Sequence, residues 1–257
     1  MLLTACSTSE KDISSEAKQG AEVEETDEPV TSTSDEVNEL ENDIPEADKH
    51  SAIEGCDGVL LSTSQTVAGK DLENCFVEAM MLQQTGTHVV KNNSGITTII
   101  DFQWNPSFSM MTNNGEYGVI LYEDTGWMET KDGRWVQEDR NSDHPEVKLA
   151  TMIVQGFRTY ADPRFIGEIL GEVSTWTVIE EGPVPDAEAF TDTAWKLTTD
   201  EEIDRNISIL SELEFWITNE YLGAYFAGTA TMEGGLSDRS SNTFSQWGEE
   251  VDIPEPE

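Results

Sequence analysis

The first aromatic residue of the chain is Phe76, and every Phe, Tyr and Trp lies at or beyond it. Packed interiors draw heavily on such side chains, so the folded part has to sit in the C-terminal portion. From Ser7 to about Gly55 the chain is instead rich in Ser, Thr, Glu and Asp, as in Glu22-Val23-Glu24-Glu25-Thr26-Asp27-Glu28-Pro29. This stretch buries too little apolar area to offset about 1 to 2 kcal/mol of backbone entropy per residue. Its like charges repel and extend it. Residues 6–55 are therefore expected to form a disordered acidic linker, serving as a tether or a solubilising tail, and residues 56–257 a single folded domain.

The domain opens with a helix, because Leu72, Cys75, Phe76, Ala79, Met80 and Gln83 recur at helical spacing and Thr85-Gly86 reads as a stop. Extended segments follow at His88 to Lys91, Ile96 to Trp104, Phe108 to Thr112, Tyr117 to Tyr122, Trp127 to Thr130 and Trp135 to Glu138. Between them stand Asn93-Ser94-Gly95, Asn105-Pro106, Asn113-Asn114-Gly115 and Lys131-Asp132-Gly133, which is hairpin chemistry. Ile96, Thr98, Ile100, Phe102 and Trp104 alternate with Thr97, Asp101 and Gln103, giving one wet and one apolar face. The period then changes. Leu149, Ile153, Gly156, Phe157 and Tyr160 share a helical stripe, and after Asp162-Pro163 a second helix presents Phe165, Ile166, Ile169, Leu170 and Val173. Strands resume at Ser174 to Glu180, Ala189 to Thr198, Leu213 to Asn219, Ala224 to Met232 and Ser241 to Trp247, with a short helix expected from Thr199 to Ile209. The fold class is α+β: a strongly curved antiparallel sheet, a half-barrel, wrapped over helices.

Charge and motif content narrow the chemistry. With 14 Lys and Arg against 52 Asp and Glu the formal net charge is -38, a potential that repels phosphate backbones and makes nucleic acid an unfavourable partner. His50, His88 and His144 are scattered and lack metal-ligand spacing. No nucleophile elbow, zinc-protease helix, phosphate loop or dinucleotide fingerprint occurs. Acidic pairs such as Glu180-Glu181 and Glu201-Glu202 read as solvated surface in so acidic a chain. No enzyme activity, metal or cofactor is expected.

The opening Met1-Leu2-Leu3-Thr4-Ala5-Cys6 gives way at once to polar Ser7-Thr8-Ser9. Leu3-Thr4-Ala5-Cys6 resembles a bacterial lipobox, whose Cys is acylated and becomes the first residue after cleavage. Residues 1–5 are then the remnant of a signal peptide whose basic and apolar regions are missing, through a start assigned too late or a trimmed sequence. The competing reading is a chance Cys in a cytosolic protein. One acyl chain is a marginal anchor and two or three hold stably, so lipidation of Cys6, for instance with palmitate, would fix the chain to the outer face of the cell membrane. With Cys6 acylated, Cys56 and Cys75 remain as an even pair. In an oxidising compartment their natural use is a disulfide pinning the start of the domain to its first helix, with two reduced, buried thiols as the other possibility.

Four pieces together resemble the LolA-like, LppX/LprG-like lipoproteins of actinobacteria. They are Thr85-Gly86-Thr87-His88-Val89; Tyr122 with Trp127 and Gly133-Arg134-Trp135; Thr193-Ala194-Trp195-Lys196-Leu197; and the ending Thr243-Phe244-Ser245-Gln246-Trp247-Gly248-Glu249-Glu250-Val251-Asp252-Ile253-Pro254. The resemblance spans about Leu72 to Pro254. It implies a half-barrel with helices in its mouth and an apolar cavity accepting acyl chains of an envelope lipid or glycolipid. Candidate cavity residues on the strands are Ile100, Phe102, Trp104, Met110, Val119, Leu121, Phe215, Ile217 and Phe226. On the helices they are Ile153, Phe157, Phe165 and Ile169. The same pattern suits a dry core, in which case the domain docks an envelope protein through Trp127 and Trp135. Ala224, Gly228 and Ala230 on one strand favour space over packing. A monomer is expected.

Overall fold

The computed structural model describes residues 53–104, 107–113, 117–185 and 193–256. Cys6 and the expected tether as far as residue 52 therefore lie outside the described residues, whereas its last three positions belong to the domain, Ile53 packing on the core and Glu54 and Gly55 opening the first turn. After a short 3-10 turn at Glu54–Cys56 come β1 (Thr66–Ala68), α1 (Gly69–Gln83), β2 (Thr85–Asn92), β3 (Thr97–Gln103), β4 (Ser109–Asn113), β5 (Gly118–Tyr122), β6 (Gly126–Glu129) and β7 (Trp135–Gln137). The chain then forms α2 (Pro145–Tyr160), α3 (Arg164–Glu172), β8 (Thr175–Pro183), β9 (Thr193–Thr198), β10 (Ile203–Asp204), β11 (Ser208–Ile217), β12 (Gly223–Met232) and β13 (Ser237–Ser245). The strands join in one open antiparallel sheet of order β1-β8-β9-β11-β12-β13-β2-β3-β4-β5-β6-β7, with β10 beside β11. This is the α+β class expected from the sequence.

The chain reverses out of α1 at Gln84, which takes a left-handed φ of 66°. Thr85-Gly86 is therefore the start of β2 and not a helix stop. Gly86 is required there for another reason: a Cβ would stand 2.7 Å from the Phe102 ring and 2.9 Å from Trp247. The sheet bends where β11 carries a register shift between Ser211 and Glu214 and β8 one between Val178 and Glu180. Bulges of this kind increase local twist and curl a long sheet. Glu212, with φ 52°, is the left-handed residue of the first shift.

Two expectations are corrected. The segment 199–209 is not a helix: Asp204 accepts the Asn206 N–H, Asn206 turns at φ 64°, and Ile203 pairs with Leu210 in a β10–β11 ladder. The Glu201 carboxylate accepts the Ser174 and Thr175 N–H groups, which ties this stretch to the end of the helical layer and prevents it from coiling on itself. The α2 stripe is also displaced. Ala150, Ile153 and Val154 are buried whereas Leu149 is 46% exposed, beside Met152 at 55%. The seam of the helix runs i, i+3, i+4 from Ala150, and Leu149 lies off it.

The helices divide the cover of the sheet. α2 packs on β5, β6 and β7, whereas α3 packs on α1, whose start meets β1. The core is divided in the same way. One cluster gathers Leu72, Phe76, Ile169, Leu170, Trp176, Phe215, Ile217, Phe226 and Phe244. The other gathers Ile100, Phe102, Met110, Val119, Leu121, Ile153 and Val154. Trp104 and Trp247 pack against both. Cys56 and Cys75 form a disulfide that links the 3-10 turn to α1.

Candidate functional site

The inner face of the meander is defined by cross-strand rows. Phe244, His88, Ile100, Thr112, Val119, Met128 and Val136 stand opposite one another from β13 through β7. The next row is Gly86, Phe102, Met110, Leu121 and Gly126. Alternation of side chains along a strand places these rows on the same face, and Trp104, the residue after β3, packs on Phe102. The α2–α3 junction, Ala161-Asp162-Pro163, joins the two helical covers, and Ala161 is buried in the second cluster.

All the sequence-predicted lining residues are buried or half-buried, but they fall into two groups and not one cavity wall. Ile100, Phe102, Met110, Val119, Leu121, Ile153 and Phe157 belong to the cluster under α2. Phe165, Ile169, Phe215, Ile217 and Phe226 belong to the cluster under α3 and α1. Trp104 stands between the groups. Gly228 does not open space: a Cβ there would be 2.7 Å from Leu213. Ala230 lies half-exposed and Ala224 packs in a third group with Trp216 and Tyr225.

Between the clusters lies an aromatic seam. Phe102 and Trp104 have ring centroids 4.8 Å apart, Phe102 and Trp247 5.7 Å, and Trp104 and Phe108 6.3 Å. Trp247 stacks on Phe244 at 5.8 Å and donates its indole N–H to the Gly223 carbonyl at 3.0 Å. It is inserted by two left-handed neighbours, Gln246 at φ 54° and Gly248 at φ 75°. The chain after it is strapped across the strand ends, with Thr85 Oγ1 donating to the Glu249 carbonyl and the Tyr122 hydroxyl to that of Ile253.

The seam contains polar atoms that the protein does not pair. His88 is 1% exposed, stacks on Phe244 at 5.5 Å and meets the edge of Phe102 at 5.7 Å. Trp104 Nε1 and Thr112 Oγ1 are buried without a hydrogen-bond partner, and both His88 ring nitrogens are buried with only the Ala161 carbonyl near them, short of full hydrogen-bond geometry. Burial pulls the imidazole down to about pKa 3, opposed only by the Ala161 carbonyl. Sequence reading set His88 aside for want of ligand spacing. The signal that would have found it is its parity with Gly86 and Val90, which puts a polar ring on the apolar face of β2.

Polar latches hold α2 over this region. Arg158 pairs with Glu138 at 2.5 Å and donates to the Tyr122 and Glu123 carbonyls. Gln155 donates to Glu138, and at the other end of the helix Arg134 pairs with Glu146 at 2.7 Å. Of the acidic pairs, Glu181 accepts from Thr193, and Glu201 accepts the Ser174 and Thr175 N–H groups, which lower its pKa. Trp127 packs on Tyr122 at 5.8 Å, and Trp135 lies against Gly118; both indoles are half-buried. A separate surface groove of about 640 Å³ runs beside α1, lined by Glu54, Glu73, Val77, Glu78, Met81 and Leu82. No helix among the described residues is long and apolar enough to cross a membrane, and none of them form a metal-ligand cluster.

No protein-family model and no curated protein sequence matches the chain. Among solved structures it is similar to the lipoprotein LppX of Mycobacterium tuberculosis, at 12% identity and a TM-score of 0.46, over 71% of this chain and 96% of that one. It is also similar to a LolA superfamily protein from Nitrosomonas europaea, at 8% identity and a TM-score of 0.23, over 73% of this chain and 96% of that one.

Proposed function

We propose that the chain is an extracytoplasmic lipoprotein, held at the outer face of the cell membrane by a lipid on Cys6 and raised from it by the acidic tether. Its domain binds an apolar ligand, an envelope lipid or glycolipid, by burying acyl chains between sheet and helices, and releases it again without a covalent step. The observation that supports this reading most is the aromatic seam where the two helical covers meet over one continuous sheet. Movement of α2 about the Ala161-Asp162-Pro163 junction would join the walls of both clusters into one apolar surface. Acyl chains would enter it through desolvation and dispersion, at about 25 cal/mol for each Å² removed from water. Of the latches on α2, the exposed Arg134–Glu146 pair is weak, whereas Arg158–Glu138 is largely buried and is the main hold that such a movement has to release.

A second reading, docking of a protein partner, is supported by the close mutual packing of the lining residues and by the exposed Leu149 and Met152 on the outer side of α2. One experiment separates the two. Full-length Cys6→Ser protein is exposed to an envelope lipid extract, separated by gel filtration and analysed by native mass spectrometry. The carrier reading expects a population one lipid heavier than the chain. A single peak at the chain mass under excess lipid favours the docking reading.

A further inference from the structure

We infer that the inner face of β2–β4, beneath the α2–α3 junction, carries a hydrogen-bonding subsite built from His88, Thr112 and Trp104 for the polar group of a neutral amphiphile, a hydroxyl or ester oxygen borne by an acyl chain. This rests on the carrier reading and deepens it. Protein interiors pair nearly all their buried polar atoms, and an exception calls for a specific explanation. Among the described residues seven buried side-chain polar atoms lack a full hydrogen bond, and four of them, both nitrogens of His88, Thr112 Oγ1 and Trp104 Nε1, belong to this face, the Ala161 carbonyl being the one acceptor near the imidazole; the others are Ser109 Oγ and two nitrogens of Arg205, which pairs with Glu172. His88 and Thr112 stand on either side of Ile100 in one cross-strand row, and Trp104, just past the end of β3, packs its ring on Phe102 of the next row. A plain hydrocarbon would leave all of these unpaired.

The donor and acceptor inventory identifies the ligand class. An indole only donates, whereas a neutral imidazole and a hydroxyl each donate and accept. An ester or alcohol oxygen can accept from Trp104, and an alcohol O–H can also be received by His88 or Thr112. A phosphate or carboxylate would need a cation. The arginines on the covering helices are already committed, Arg158 to Glu138 and Arg164 to Asp162. A neutral head group therefore fits where a charged one does not.

The test titrates full-length Cys6→Ser protein with decan-1-ol and with 1-chlorodecane, following intrinsic fluorescence. The two probes have the same chain and differ in hydrogen bonding. Thr112→Val is expected to weaken decan-1-ol about tenfold, the equivalent of one hydrogen bond, and to leave 1-chlorodecane unchanged. Thr112→Ser restores the hydroxyl and the affinity. His88→Gln, which keeps a donor and an acceptor, serves as the folded control for His88→Phe. If both probes bind and no variant separates them, the subsite is refuted while the carrier reading stands. If neither probe binds, the carrier reading fails and takes the subsite with it. A crystal structure with decan-1-ol bound in which water alone remains on His88, Thr112 and Trp104 also overturns the subsite.

Discussion

The indole of Trp247 donates a 3.0 Å hydrogen bond to the Gly223 carbonyl while its ring packs against both halves of the core. One side chain from the C-terminal strap thus closes the seam between two otherwise distinct clusters. Trp247→Ala removes that wall and leaves a void the rigid sheet cannot fully fill, at a cost of about 3 to 5 kcal/mol. Urea unfolding measures it. Partial proteolysis should also begin cutting within residues 249–256, because the strap loses its inner anchor. Loss below about 1 kcal/mol would mean that the indole is not a core element.

Cys56 and Cys75, 19 residues apart with Cα atoms at 4.3 Å, tie the entry of the domain to α1. In the chain-entropy model a loop of this size contributes about 3 kcal/mol. Reduction, or the paired Cys56→Ser and Cys75→Ser change, is expected to lower the melting temperature by about 6 to 12 °C, taking about 2 to 4 °C per kcal/mol for a domain of this size. Thermal unfolding followed by circular dichroism, with and without reductant, gives the comparison.

His88 makes stability fall on acidification. Its folded pKa of about 3 is below the ordinary 6.5, so between those values the unfolded chain binds the proton that the folded chain refuses. Above pH 6.5 both states are neutral and the group has no effect. Below it the folded state loses about 1.4 kcal/mol per pH unit, or about 2 kcal/mol by pH 5. The imidazole is faced by the rings of Phe102 and Phe244 and by the Ala161 carbonyl, none of which titrates. Carboxylates elsewhere also titrate in this range, so the measurement is the difference between wild type and His88→Phe. The variant should show a stability–pH slope smaller by that amount. Equal slopes would show that His88 does not remain neutral in the folded protein.

Gly69 begins α1 against the end of α3. Its N–H donates to the Ser174 carbonyl at 3.2 Å, and a Cβ there would overlap the Val173 carbonyl and crowd that of Leu170. Backbone cannot yield as a flexible side chain can, so Gly69→Ala should destabilise by at least about 1 to 3 kcal/mol. Gly95→Ala provides a contrast. A Cβ at Gly95 meets nothing within 4 Å, and its cost arises only from the left-handed φ of 81°, about 1 to 2 kcal/mol.

Much of this architecture was legible in residue order. The alternation through Ile100 and Phe102, the turns at Asn93-Ser94-Gly95 and Lys131-Asp132-Gly133 and the helical stripe after Asp162-Pro163 each act locally, and each produced the element it specifies, whereas Asn105-Pro106 and Asn114-Gly115 lie outside the described residues. The segment 199–209 was misread because its fate depends on partners elsewhere: β11 across a tight turn, and the N–H groups of Ser174 and Thr175. The lining residues were recognised by apolarity, which selects buried positions but does not reveal that two helical covers divide them. His88 and Thr112 were missed because a polar residue on an apolar face becomes informative only once cross-strand neighbours show that nothing pairs with it.

The central claim is that acyl chains lie along the seam at Trp104. Bromine quenches an indole it touches, so a monoglyceride with a dibrominated stearoyl chain, added to full-length Cys6→Ser protein, probes that position. The account predicts a saturable fall in tryptophan emission that an unbrominated monoglyceride does not cause and that shrinks in Trp104→Phe. Emission unchanged by the brominated lipid, or quenching of equal amplitude in Trp104→Phe, would contradict it.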